Sequence, residues 1–290
     1  AVAEHPPGST AAPSSPPLAE VPPMQSGEPG PGRRVRVTEP EYAGTDVHHS
    51  LYLPPDYDPA RRYPVIVEYT GNFFPASGSS GEVSGAHLGF AATLGRGFIW
   101  VVLPFVSADK TGNAVTWWGD TAATVAYAKM AVPRILAKYH GDPDRVVLCG
   151  FSRGAIAVSY IGLHDDEIAR LWSAFFTHDH FDGQKEWKNQ PWGSPLGPYR
   201  AAAAERLRRI HGRPFWVGQN GGTKGIEAFL AEKGLLDAGR FQFEAIPITA
   251  WFPDIPNAHI PHPHTDLWPL FPGESSDRLR AWLRQSLQLP

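Results

Sequence analysis

Gly150-Phe151-Ser152-Arg153-Gly154 sets one serine between two glycines, where an apolar run, Arg145-Val146-Val147-Leu148-Cys149, gives way to the helix-forming Ala155-Ile156-Ala157. A serine hydroxyl is a poor nucleophile unless it is exposed, oriented and given a base, and a strained turn from strand to helix supplies the first two. Flanking glycines remove side chains that would clash in so sharp a turn. In a chain with 29 glycines the pentapeptide alone arises by chance, so its strand and helix context carries the weight. Near the C-terminus, residues 257–268 hold three imidazoles, His259, His262 and His264, and residues 177–183 hold two carboxylates, Asp179 and Asp182. Nucleophile, imidazole and carboxylate together are the parts of acyl transfer through a covalent intermediate.

Positioning such groups requires a rigid frame. Apolar runs read as strands over 47–53, 63–69, 98–103, 145–149, 171–176, 214–218 and 241–246, and helical spacing marks 121–139 and 276–287. Strands alternating with helices predict an α/β protein with a mainly parallel sheet covered on both faces. With 290 residues, 42% of them hydrophobic, the chain can bury one large core. Residues 1–34 carry nine prolines among Ser, Gly, Ala and Glu, so they are expected to be an extended, mobile linker ahead of a single domain over 35–290.

Composition narrows the classes of partner. A net charge of −3 without a long Lys or Arg run argues against nucleic acid, and no apolar stretch is long enough to cross a bilayer. Cys149 is the only cysteine, which excludes an intrachain disulfide and a cysteine-based zinc site. The start at Ala1-Val2-Ala3, without an initiator Met, fits either removal of a targeting segment or a boundary set within a longer chain. With the proline-rich spacer, it leads to the expectation of a secreted or periplasmic protein.

The order of strands, glycine-rich loop, G-x-S-x-G, histidine loop and closing helix resembles the α/β-hydrolase fold. Within it, Tyr52-Leu53-Pro54-Pro55-Asp56-Tyr57 and Arg62-Tyr63-Pro64-Val65 are similar to the opening of the polyhydroxybutyrate depolymerase, feruloyl esterase and esterase D branch. The resemblance covers 35–290 and implies a serine carboxylesterase without cofactor or metal, acting on an ester substrate that is carbohydrate-linked by analogy with that branch. A polyester depolymerase or serine peptidase of the same fold, and a catalytically silent binding module, are the alternatives.

The family sets its base in the loop after the last strand, which makes His264 the first candidate and His259 the second. A zinc site of His259, His262 and His264 competes, although two prolines stiffen that run and no carboxylate or cysteine completes the set. Many members carry the acid after the strand over 214–218, where this chain has Gln219-Asn220-Gly221 instead. Others carry it one strand earlier, so Asp182 is the expected acid, with Asp179 behind it. The backbone amide of Arg153 and the main-chain or side-chain amide of Asn72 are the expected oxyanion donors. The Arg153 side chain would hold a substrate carboxylate, strengthen the oxyanion site or form a structural salt bridge. Trp117, Trp118 and Trp187 are expected to line the substrate cleft.

Overall fold

The computed structural model describes residues 11–13 and 16–290. Its centre is one sheet of eight strands: β1 (Arg34–Val37), β2 (His49–Tyr52), β3 (Tyr63–Tyr69), β4 (Ile99–Val102), β5 (Gly141–Phe151), β6 (Ala174–His178), β7 (Pro214–Asn220) and β8 (Arg240–Ile246). Their spatial order is β1-β2-β4-β3-β5-β6-β7-β8. The first two strands pair antiparallel and β3 to β8 run parallel. Parallel neighbours need crossover helices, and these cover both faces. The helices are α1 (Leu88–Thr93), α2 (Thr121–Tyr139), α3 (Arg153–Tyr160), α4 (Asp166–Ala169), α5 (Leu196–Leu207), α6 (Lys224–Glu232), α7 (Ile248–Trp251) and α8 (Glu274–Ser286). None of the described helices is long and apolar enough to cross a membrane.

Because successive strand side chains point to opposite faces, β3 divides its residues between two cores. Val65, Val67 and Tyr69 pack with α2, α3, α5 and α6, whereas Ile66 packs with Trp100, α1 and α8. Since β3 and β5 are adjacent and central, the loops leaving their C-terminal ends are held by the most buried part of the sheet. That is where a parallel α/β sheet offers a crevice for ligands.

The mobile linker expected over 1–34 is corrected for its second half, residues 16–33. Leu18 donates its N–H to Leu270 O (2.8 Å), Gln25 bridges to Val35, and Gly32 N–H bonds Leu53 O (2.9 Å). Ala19, Val21 and Met24 pack against the α1 and α8 core. Apolar side chains scattered among the prolines thus bind this segment to the body as an extended strap. Residues 1–10 and 14–15 lie outside the described residues.

Candidate active site

Ser152 follows β5 directly and opens α3 with φ 58° and ψ −118°, a conformation that a residue with a side chain adopts only under constraint. The constraint is visible at both glycines. A Cβ on Gly150 would lie 2.0 Å from Gly154 O, and one on Gly154 would lie 1.8 Å from Tyr69 O. The turn is therefore packed backbone against backbone. Ser152 N–H is taken by His178 O (3.0 Å), which ties the turn to the end of β6.

His264 Nε2 lies 2.9 Å from Ser152 Oγ, and His264 Nδ1 lies 2.9 Å from Asp179 Oδ2. The structure thus brings together Ser152, His264 and Asp179. Asp182, the expected acid, is elsewhere: its Oδ2 accepts from Ser159 Oγ and Arg206 Nε (both 2.8 Å), and its Oδ1 from Tyr199 Oη (2.9 Å) and Arg206 Nη2 (3.0 Å). The reason is strand length. β6 runs to His178, so Asp179 is the first residue beyond it, while Asp182 is carried past the crevice and points onto α3 and α5. His259 is exposed, and His262 uses Nδ1 to accept His264 N–H (3.0 Å), so neither imidazole is on Ser152.

Asp179 is almost fully buried. Burial alone would raise its pKa, yet the neighbouring imidazoles of His178 and His264 hold it well below the usual carboxylate range. Its Oδ1 accepts Asn220 N–H (2.6 Å), and Asp179 N–H bonds Gly218 O (3.1 Å). The end of β7, which lacks a carboxylate, thus supplies amide and carbonyl groups that fix the acid from one strand earlier.

Arg153 is completely buried and meets no carboxylate. Its guanidinium donates to five backbone carbonyls: Thr70 (3.3 Å), Gly71 (3.0 Å), Gly81 (3.1 Å), Ala114 (3.1 Å) and Trp117 (2.9 Å). It also lies 3.9 Å above the centre of the Phe105 ring. This replaces the substrate-carboxylate and salt-bridge roles among the three read from sequence with a structural one: Arg153 gathers three loops beneath Ser152. Desolvation by burial lowers its pKa, and Glu82 offsets only part of this.

The consequence reaches Asn72. Gly71 C=O points at the buried guanidinium, so Asn72 N–H, trans across the same peptide, points the opposite way. A Cβ on Gly71 would be 3.3 Å from Ser152 Cβ, which shows how closely this loop approaches the serine. Asn72 Oδ1 accepts Trp117 N–H (2.9 Å), so the side chain braces the loop. Arg153 N–H, first in α3, has no acceptor one helical turn back.

Around His264 the aromatic residues fall into two groups. Phe74 meets the rings of His262 and His264 edge-on (5.8 and 6.4 Å), and with Phe73 it is one of the few exposed large apolar side chains among the described residues. On the other flank His180 lies 5.4 Å from His264, Trp187 5.1 Å from His180, and Trp117 5.0 Å from Trp187. Trp118, expected in the cleft, is buried and stacks on Tyr160 at 4.5 Å, so it belongs to the core. Sequence reading missed His180, Phe73 and Phe74. Their positions beside Asp179 and Asn72 are the only signal the sequence holds.

The histidine loop is tied down two residues past His264. Asp266 accepts His87 N–H (3.0 Å) and faces His87 Nδ1 (2.9 Å). Glu68, fully buried on β3, accepts Leu88 N–H (3.1 Å), Gly89 N–H (2.8 Å) and Trp100 Nε1–H (2.8 Å). Two carboxylates thus receive the free amides at the start of α1.

No protein-family model and no curated protein matches the chain. Solved structures do. A thermostable esterase aligns over 87% of this chain and 62% of its own length, at 15% identity and a TM-score of 0.52. The AtxE2 isopeptidase in its apo form aligns over 88% of this chain and 40% of its own, at 17% identity and a TM-score of 0.54. This is the α/β-hydrolase fold. The chain spans less than two thirds of either hydrolase-fold neighbour, and the likeness at these identities extends to the fold.

Proposed function

We propose that the protein is a serine carboxylesterase that works through an acyl-enzyme. The observation that carries this is the pair of 2.9 Å contacts through which one imidazole joins the Ser152 hydroxyl to a buried carboxylate. His264 Nε2 would take the Ser152 proton as Oγ attacks the ester carbonyl. Asp179 would keep Nδ1–H in place and stabilise the imidazolium that forms. Arg153 N–H and Asn72 N–H would receive the oxyanion. His264 then returns the proton to the departing alcohol, and water releases the acid by the same steps in reverse order of roles. No cofactor is needed by this sequence of steps.

For the substrate we propose an ester linked to a carbohydrate, supported by the half-buried indoles of Trp117 and Trp187 on the His264 flank, since indoles stack on sugar faces. The test of the central reading is Ser152→Ala with 4-nitrophenyl acetate and with an organophosphonate probe. Turnover and labelling should both vanish while the thermal unfolding midpoint holds. A wild-type protein that is folded yet never labels would establish the silent binding module instead.

A further inference from the structure

The alcohol half of an ester leaves from the flank of the base that protonates it. Here that base is His264, and on the flank away from Phe74 and His262 stands His180, with Trp187 behind it. Trp187 meets His180 nearly edge-on, at 85°. His180 is recessed between these rings yet remains partly exposed, and among the described residues neither of its ring nitrogens has a protein hydrogen-bond partner. A half-buried polar group set among aromatic rings with no protein partner is open to a ligand contact.

The backbone supports the same reading. Asp179 and His180 have φ of 54° and 108° in succession, the second in a region that residues with a side chain rarely occupy. His180 N–H bonds Gln219 Oε1 (3.3 Å), and Asn220 N–H bonds Asp179 Oδ1, so the end of β7 holds the strained turn in place. Strain retained beside a reacting centre calls for a role, and here the strain aims the imidazole into the crevice.

We propose that His180 and Trp187 form the subsite for the alcohol half of the ester, where His180 hydrogen-bonds a hydroxyl of a sugar that stacks against Trp187. The proposal rests on the serine esterase reading and adds the residues that select its leaving group. Burial, then His264 and Lys185, push the His180 pKa down to about 3, so the ring is neutral at working pH. A neutral imidazole carries one donor and one acceptor and suits a hydroxyl, which does both; an imidazolium would suit an anion. In the step concerned, the bond from carbonyl carbon to sugar oxygen breaks, the acyl group stays on Ser152 Oγ, and the sugar oxygen takes its proton from His264 Nε2.

Two acetates that give the same acetyl-enzyme isolate the alcohol half: 4-nitrophenyl acetate, whose leaving group has no free hydroxyl, and a monoacetylated methyl β-xylopyranoside. The readout is the ratio of kcat/KM for the sugar acetate to that for the aryl acetate. His180→Phe should lower the ratio roughly tenfold, the loss expected for one hydrogen bond of this kind. Trp187→Leu should lower it as well, and His180→Gln, which keeps a donor and an acceptor, should restore part of it. A parallel fall on both acetates, with the ratio unchanged, would show that His180 serves His264 and would overturn the subsite. Wild-type turnover of the aryl acetate alone would overturn the sugar assignment while the esterase reading stands. Turnover of neither by folded protein would remove the esterase reading and this proposal with it.

Discussion

Asp179 Oδ2 stands 2.9 Å from His264 Nδ1, whereas Asp182, three residues on, spends both carboxylate oxygens on Arg206, Tyr199 and Ser159. Two neighbouring aspartates therefore have separable roles. Asp179→Asn should keep the fold and lower kcat by a factor on the order of 10⁴, the loss known for the same change in a serine protease triad. Asp182→Asn should leave kcat per folded molecule near wild type and cost about 3–5 kcal/mol of stability, because Arg206 would remain as a buried charge without its partner. Urea unfolding and steady-state kinetics on both variants decide the matter. The reverse pattern would return Asp182 to the catalytic machinery.

What the sequence conveyed follows from how local each signal is. The strand Tyr63–Tyr69 and the helix Thr121–Tyr139 have the bounds read from sequence, since their apolar periodicity and flanking residues lie within the segment itself. β6 does not. The apolar Leu171-Trp172 looked like strand, but Trp172 instead turns its Nε1–H onto Gly162 O (2.8 Å), and the strand runs on through polar Thr177 and His178. His178 is buried between Phe151 and Trp268, a fact of tertiary packing. That shift decides between Asp179 and Asp182. Trp118 and Trp187 were equally indistinguishable, since an indole in sequence carries no mark of whether it fills a core or a cleft.

Arg153 holds the Thr70–Asn72 loop from below, so its loss should be felt twice. Arg153→Met would leave five carbonyls without this donor, three of them buried, and each buried unsatisfied acceptor costs about 1–3 kcal/mol before the loops relax. We expect a loss on the order of 3 kcal/mol or more. A fall in kcat that exceeds any change in KM should accompany it, because Asn72 N–H would no longer be aimed. Arg153→Lys, with three donors, should be intermediate. Wild-type kcat and unfolding midpoint in Arg153→Met would refute this account of the loop.

Glu68 gives the stability a pH signature. Burial, then Asp266, raise its pKa to about 7, against the pull of Gly89 N–H, Trp100 Nε1–H and Arg34. The folded state therefore binds a proton that the unfolded state releases, between the ordinary glutamate value of 4.5 and about 7. Stability from this group is full below that window and is lost as pH rises through it. Relative to Glu68→Gln, the wild type should lose on the order of 3 kcal/mol between pH 4.5 and pH 8. Urea unfolding of both proteins at several pH values tests this, and a pH-independent difference would mean that Glu68 is ionised throughout.

The last prediction concerns why two glycines frame the serine. A Cβ at residue 154 would sit 1.8 Å from Tyr69 O, and that oxygen belongs to β3, whose central place in the sheet prevents it from giving way. Gly154→Ala must therefore displace α3 from the end of β3, carrying Ser152 and Arg153 with it. Gly197, in the first turn of α5, supplies the control: a Cβ there meets nothing within 4 Å. Gly197→Ala should be near neutral, as the freedom lost by the unfolded chain is set against crowding of the new Cβ by the Pro198 ring. Gly154→Ala should lose the 4-nitrophenyl acetate activity and unfold at clearly lower urea. If it keeps both, the elbow is looser than this packing implies, and Ser152 does not depend on contact between α3 and β3 for its orientation.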